Sequence, residues 1–174
     1  KEDIEWIVLA KENNRILVIS KYSLDCQKYN TSYVDVTWET CSLRSWLNND
    51  FISSAFSSAE ISKIPTVTVT ADENPNYSSD AGNDTQDKVF LLSLPEVKEY
   101  FTSSNERICY PTKYAIEQGA KTNLNQSWWW LRSAGSIQNS AAYIDNAGDI
   151  YYGGRGVNSD SVSVRPVLWS DLNP

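Results

Sequence analysis

From position 128 to position 169 the chain consists of short apolar and aromatic runs, at 128–132, 141–144, 149–152 and 162–169, separated by polar stretches. Runs this short and this rich in aromatic and β-branched residues read as strands, with Ala147-Gly148 and Gly153-Gly154 as the turn signals between them. The beginning of the chain follows the same rule. Ile4, Trp6 and Val8 alternate with residues of the opposite face, Asn13-Asn14 offers a turn, and Ile16 and Val18 resume the pattern, which predicts an antiparallel hairpin. Strands at both ends with helices between them predict a single α+β domain over 1–174 whose termini pair or lie close together.

Helical spacing dominates the middle. Leu43, Trp46, Leu47 and Phe51 follow Thr40 as a candidate N-cap, so a helix or helix pair is expected within 37–56. Ser57 or Ser58 before Glu60 marks another helix start, and 66–70 alternates β-branched residues like a short strand. The apolar run 89–93 suits a buried strand. Pro95 then sits at the first turn of a helix, and 111–118 is a further helix closed by Gly119.

The 174 residues include 22 Asp and Glu against 15 Lys and Arg, a net charge of −7, and no His. That balance opposes binding to phosphate backbones, which needs clustered cations, so nucleic acid is not an expected partner. No apolar run approaches the roughly 20 residues that cross a bilayer, so direct membrane insertion is not expected. Met is absent even at position 1, which suggests a processed or excised chain. Cys26, Cys41 and Cys109 have neither CxxC spacing nor histidine company, so zinc is not expected, and both a disulfide and three buried thiols remain open.

Without His the Ser-His-Asp and Cys-His arrangements are excluded, and Gly153-Gly154-Arg155-Gly156 opens no helix that could cradle a phosphate. Carboxylate pairs are possible, but acidic residues this numerous are usually solvated surface, so the chain is expected not to be an enzyme. The loop 71–87 carries Asp72, Asn74, Asp80, Asn83, Asp84 and Asp87, hard oxygen ligands of the kind calcium accepts but at no EF-hand spacing. Asp84 and Asp87 are the weak candidates for a structural calcium. The preferred alternative has them accept backbone N–H bonds and pair with an arginine to pin the loop, with no cofactor. Trp128, Trp129 and Trp130 alternate faces of a strand, and Arg132 and Arg165 read as paired arginines at a buried edge.

Every Lys and Glu lies within 1–121, while Asp, Asn, Ser, Tyr, Gly and Arg continue to the end. The outward positions expected from 136 onwards are short or adaptable: Ser136, Asn139, Ser140, Tyr143, Asp145, Asp149, Tyr151, Tyr152, Arg155, Asn158, Ser159 and Asp160. Tyrosine gives contact area at low entropy cost, and Ser, Asn and Gly give adaptable hydrogen bonds, as in antibody paratopes. These twelve residues are the candidate ligand-binding set, and an ordinary polar β-meander is the bland alternative.

Several strings occur in a familiar order: Ile4-Glu5-Trp6-Ile7-Val8-Leu9, Thr37-Trp38-Glu39-Thr40-Cys41, Leu43-Arg44-Ser45-Trp46-Leu47-Asn48, Asp87-Lys88-Val89-Phe90-Leu91-Leu92-Ser93, Trp129-Trp130-Leu131-Arg132-Ser133 and Val164-Arg165-Pro166-Val167-Leu168-Trp169. They resemble a bacterial domain family of unknown function that is similar to the C-type lectin-like domains of the formylglycine-generating-enzyme type. Some members of that wider group are variable proteins of diversity-generating retroelements, in which adenines of a C-terminal gene segment are randomised. The resemblance implies a C-type lectin-like display scaffold with a variable region at 128–169, exposed at a bacterial cell surface and binding protein or, alternatively, glycan ligands. Randomised Asn codons never yield Lys or Glu, which the tail obeys; Gln138 has to be templated. The oxidising enzyme of the group uses C-terminal cysteines, and all three here precede Pro111, so that activity is not implied. The calcium-lectin sugar motifs are missing too, and Asn74-Pro75-Asn76 only echoes them.

Overall fold

Alternation at the N-terminus becomes β1 (Trp6–Glu12) and β2 (Arg15–Ser20), an antiparallel pair whose turn holds Asn13 at φ 50°, a left-handed conformation that Asn tolerates. The structure, a computed structural model, describes residues 3–172, so the outermost two positions at each end of the expected domain lie outside them. Strand β3 (Asp25–Cys26) leads to a helical arm of α1 (Ser42–Trp46), a π-helical turn (Leu47–Phe51) and α2 (Ile52–Ala55). The arm starts behind Cys41, one residue later than expected, because the Thr40 hydroxyl accepts the Thr37 amide at 3.2 Å.

Helix α3 (Ser58–Ile61) begins at the Ser57/Glu60 capping box, and β4 (Val67–Val69) pairs antiparallel with β5 (Thr85–Asp87) across the long loop. Strand β6 (Val89–Phe90) is shorter than the apolar run predicts: Leu91 and Leu92 are fully buried, but the backbone already turns into α4 (Leu94–Tyr100) through the Ser93/Glu96 capping box. Next come α5 (Ser104–Arg107), α6 (Lys113–Glu117) capped by Thr112, and the small hairpin β7 (Thr122–Asn123) and β8 (Gln126–Ser127). Sequence periodicity gives no sign of α5 or this hairpin, because neither buries an apolar stripe.

The last third holds β9 (Trp129–Ala134), β10 (Ser140–Ile144), β11 (Ile150–Gly156), β12 (Ser163–Val164) and β13 (Val167–Asp171). Two expectations fail here. The run 162–169 is two strands in two sheets, broken at Pro166, which has no N–H to continue a ladder and whose carbonyl accepts the Ser20 amide at 3.0 Å. Gly153-Gly154 is not a turn but lies inside β11, where the pairing shifts from Ala141↔Arg155 to Tyr143↔Tyr151. Gly154 has φ 75°, and a Cβ there would stand 2.5 Å from the Ala141 carbonyl oxygen, so the pair forms a bulge in which position 154 requires glycine.

The fold is α+β with mostly antiparallel sheets. One sheet runs β1-β2-β13-β6, so the last strand pairs with the first hairpin as expected of close termini; the largest runs β11-β10-β9-β12-β3, and β4-β5 and β7-β8 are two-stranded sheets of their own. Trp129, Trp130 and Leu131 are fully buried, and their neighbours show the alternation: Trp130 meets Tyr29, while Trp129 meets Phe101. The buried Arg132 guanidinium is ion-paired with Glu96 of α4 and, at 2.9 Å, with Asp72 of the long loop, and it donates to the carbonyls of Leu91 and Thr70. Arg165 is different. It packs over the Trp129 ring at 5.0 Å and the Phe101 ring at 5.5 Å, with Ser20 O as acceptor for Nε and no carboxylate partner among the described residues. Cys26, Cys41 and Cys109 are three free, buried thiols, and burial pushes those of Cys26 and Cys41 up to about 12.

Candidate ligand-binding face

Strands β10 and β11 are joined through a tight turn. Asp145 makes that turn by itself: its Oδ1 accepts the amides of Ala147 and Asp149, both at 2.9 Å, and Gly148 N–H closes back on Asp145 O at 3.1 Å. Register then sets Tyr143 directly opposite Tyr151. The two rings stack 4.9 Å apart at 18°, and Trp128 lies against Tyr143 at 5.6 Å. Arg155 sits 4.9 Å over the Trp128 ring, Lys121 sits 4.5 Å from the same ring, and Asn146 accepts the indole N–H at 3.1 Å. Arg155 Nε also donates to Ser159 Oγ at 2.9 Å, and Ser159 meets Ser161 at 3.2 Å. This is an aromatic ladder flanked by two cations, with Tyr151 as its exposed rung at 47% exposure and Tyr143 beneath it at 7%. Burial, then the neighbouring Tyr151, raise the Tyr143 phenol above its ordinary pKa.

The twelve sequence-derived residues do not form one patch. Tyr143 and Ser140 are buried, contrary to their expected outward placement. Ser140 is used by the fold: its hydroxyl donates to Ile137 O at 2.8 Å and accepts the Ile137 amide at 3.3 Å, closing the β9–β10 connection. Asn139 is half-buried, its carbonyl taking the Val157 amide at 3.0 Å and its Oδ1 unpartnered. Tyr152 leaves the patch as well. Consecutive strand residues point to opposite faces, and Tyr152 packs under Lys98 of α4 at 5.0 Å, away from Tyr151. Ser136, Asp149, Tyr151, Asn158 and Asp160 are exposed, and of these Ser136 borders a separate open cleft of about 680 Å³ with Asn76 and Tyr77. Asp160 borders another cavity, of about 300 Å³, with Cys26 and Gln118. The sequence reading of Trp128 goes no further than its place among three tryptophans that alternate faces, and it passes over Lys121, because nothing local shows that a Lys before one hairpin reaches a Trp just after it.

The acidic loop is tied down by its own side chains. Asp87 accepts from Arg44 Nε at 2.7 Å, Trp38 Nε1 at 3.0 Å and the Thr85 hydroxyl at 2.6 Å, and Asp84 accepts the Ala71 amide at 2.8 Å. Asn74, at 4% exposure, bridges the carbonyls of Ala134 and Tyr152 at 2.8 Å each, so the Asn-Pro-Asn stretch pins the loop to the sheet. Asp87 thus pairs with an arginine and Asp84 takes a backbone N–H, as the arginine-pairing alternative has it, and among the described residues no three His, Cys, Asp or Glu side chains cluster as metal ligands. Among the same residues no helix is long and apolar enough to cross a membrane.

A family model described as a domain of unknown function matches residues 13–172. No curated protein and no solved structure matches the chain.

Proposed function

The chain belongs to the domain-of-unknown-function family DUF6273, and for it we propose a non-catalytic ligand-binding role in which the Tyr151 end of the ladder meets a protein ligand. The observation that carries this reading is the ladder itself: a half-exposed tyrosine held flat on a buried one, with Arg155 and Lys121 beside it. Tyr and Arg supply most of the energy at protein interfaces, and a ring fixed in advance loses little entropy on contact. A glycan, stacking on Tyr151, is the alternative ligand.

On this reading the scaffold is C-type lectin-like and displayed at a bacterial cell surface, with its C-terminal region diversified by a retroelement. The positions free to vary narrow to Ser136, Asp149, Tyr151, Asn158 and Asp160, whose side chains are exposed, since Ser140, Tyr143 and Asp145 serve the fold. The genetic test is a near-copy of the 3′ end of the gene, beside a reverse transcriptase, differing at adenines of those five codons. Differences concentrated in the codons of Ser140 and Tyr143 overturn it. The binding test screens the domain against a displayed protein library and a glycan array, with Tyr151→Ala and Arg155→Ser in parallel. Protein binders lost in both variants support the proposal, glycan-only binding selects the alternative, and binders indifferent to both variants refute the site.

A further inference from the structure

Between β3, the helical arm and the start of α6 lies an open cavity of about 650 Å³ that shares no residue with the ladder. Its size falls within the roughly 300–1,000 Å³ typical of small-molecule sites. Aromatic side chains from two elements border it: Trp46 and Phe51, whose rings are 5.5 Å apart, from the arm, and Tyr114, 54% exposed, from α6. Among the described residues, the charged side chains bordering it are both acids, Asp25 and Asp50.

Asp25 is the unusual member. It is 7% exposed and has no ion pair among the described residues. One oxygen, Oδ1, accepts the Cys26 amide at 2.6 Å and Gln27 Nε2 at 3.4 Å; no hydrogen bond reaches Oδ2 among those residues. That oxygen is not sealed from solvent, so at the wall of an open cavity it is met by water, which a cation or donor can replace. The wall opposite is irregular in a way that affects the site. Asn48 docks the π-helical turn on β6, its Oδ1 accepting the amides of Lys88 at 2.8 Å and Val89 at 3.1 Å, and the widened turn carries Asp50 and Phe51 to the cavity. Such π turns are rare and concentrate at functional sites.

We infer that this cavity binds a small organic ammonium compound, its cationic head at Asp25 Oδ2 and its body between Trp46, Phe51 and Tyr114. The chemistry is specific. An ammonium supplies the donors that Oδ2 lacks, Asp50 adds attraction, aromatic faces favour a cation, and among the described residues no basic side chain borders the cavity to compete. An anionic ligand would meet two carboxylates, and a purely apolar one would strip Asp25 Oδ2 of water without supplying a donor.

The test is titration of the isotopically labelled domain with phenethylamine hydrochloride at neutral pH, followed by amide chemical shifts. 2-Phenylethanol and phenylacetate serve as the neutral and anionic controls. Saturable shifts at Cys26, Gln27, Asp50, Phe51 and Tyr114 are expected with the amine, with affinity at least about tenfold below it for the alcohol and no binding of phenylacetate. Asp25→Asn keeps the acceptor for the Cys26 amide and should weaken the amine about tenfold or more; the exposed Tyr114→Ala should weaken it with the fold intact. Absence of saturable shifts, equal binding of the alcohol, or an Asp25→Asn variant that binds as tightly as the parent each overturns the inference. Loss of library binding in the Tyr151 and Arg155 variants leaves this result untouched, so the two sites fail separately.

Discussion

Tyr143 and Tyr151 stack 4.9 Å apart on neighbouring strands, yet one is 7% exposed and the other 47%. The same residue type therefore has two jobs in one pair. Tyr143→Ala opens a cavity between Trp128 and the sheet and should cost about 3 kcal/mol or more. Tyr151→Ala loses only a partly exposed ring contact, about 1 kcal/mol. Urea denaturation of both variants checks this, and a Tyr151→Ala loss as large as that of Tyr143→Ala would make Tyr151 a core residue and remove the contact face.

Arg132 joins three parts of the molecule: β9, which carries it, α4 through Glu96, and the long loop through Asp72 and the Thr70 carbonyl. Removing the guanidinium leaves two carboxylates facing each other in a largely buried site. Arg132→Ala should cost about 3–5 kcal/mol, with faster hydrogen exchange through 71–84. Arg132→Lys should recover little, because one ammonium cannot reach Glu96, Asp72 and two carbonyls at once. Unchanged exchange in the loop would show that Asn74 and Asp84 hold it without Arg132.

Much of this architecture is legible in the chain. Alternation at Trp6, Val8, Ile16 and Val18, the Ser57/Glu60 and Ser93/Glu96 boxes and the Trp-Trp-Trp-Leu-Arg run each carry local chemistry strong enough to name an element. Gly153-Gly154 misled because a left-handed glycine serves a turn and a bulge equally well, and only pairing with Ala141 decides between them. The site was harder. Composition marked the C-terminal region as unusual, but which of its polar residues are free depends on backbone groups they satisfy. Asp145, Ser140 and Asn74 are spent on carbonyls and amides that no periodicity reveals.

Asp87 illustrates the same economy in the acidic loop. At 1% exposure its carboxylate takes bonds from Arg44, Trp38 and Thr85 together. Asp87→Ala should cost roughly 3–5 kcal/mol by leaving the Arg44 and Trp38 donors unanswered. A chelator should leave the melting temperature of the parent unchanged, since Arg44 already neutralises the Asp87 carboxylate. A fall in melting temperature on chelation, restored by calcium, would contradict that assignment.

Asp25 should show the opposite sign. Burial raises its pKa, opposed by the bonds from the Cys26 amide and the Gln27 side chain. A carboxyl raised in the fold keeps its proton in a window where the unfolded chain has already released it. Its stability contribution is therefore complete below the ordinary aspartate value of about 3.9 and is lost as pH rises through the folded value. At neutral pH the ionised group is a liability, and Asp25→Asn should melt at a higher temperature than the parent, the two curves converging as pH falls toward 3 or so. Saturating phenethylamine should then raise the melting temperature of the parent at neutral pH and raise that of the variant less, because a ligand stabilises a state in proportion to how tightly that state binds it. A variant less stable than the parent at neutral pH would mean that the ionised carboxylate already has its partner within the fold.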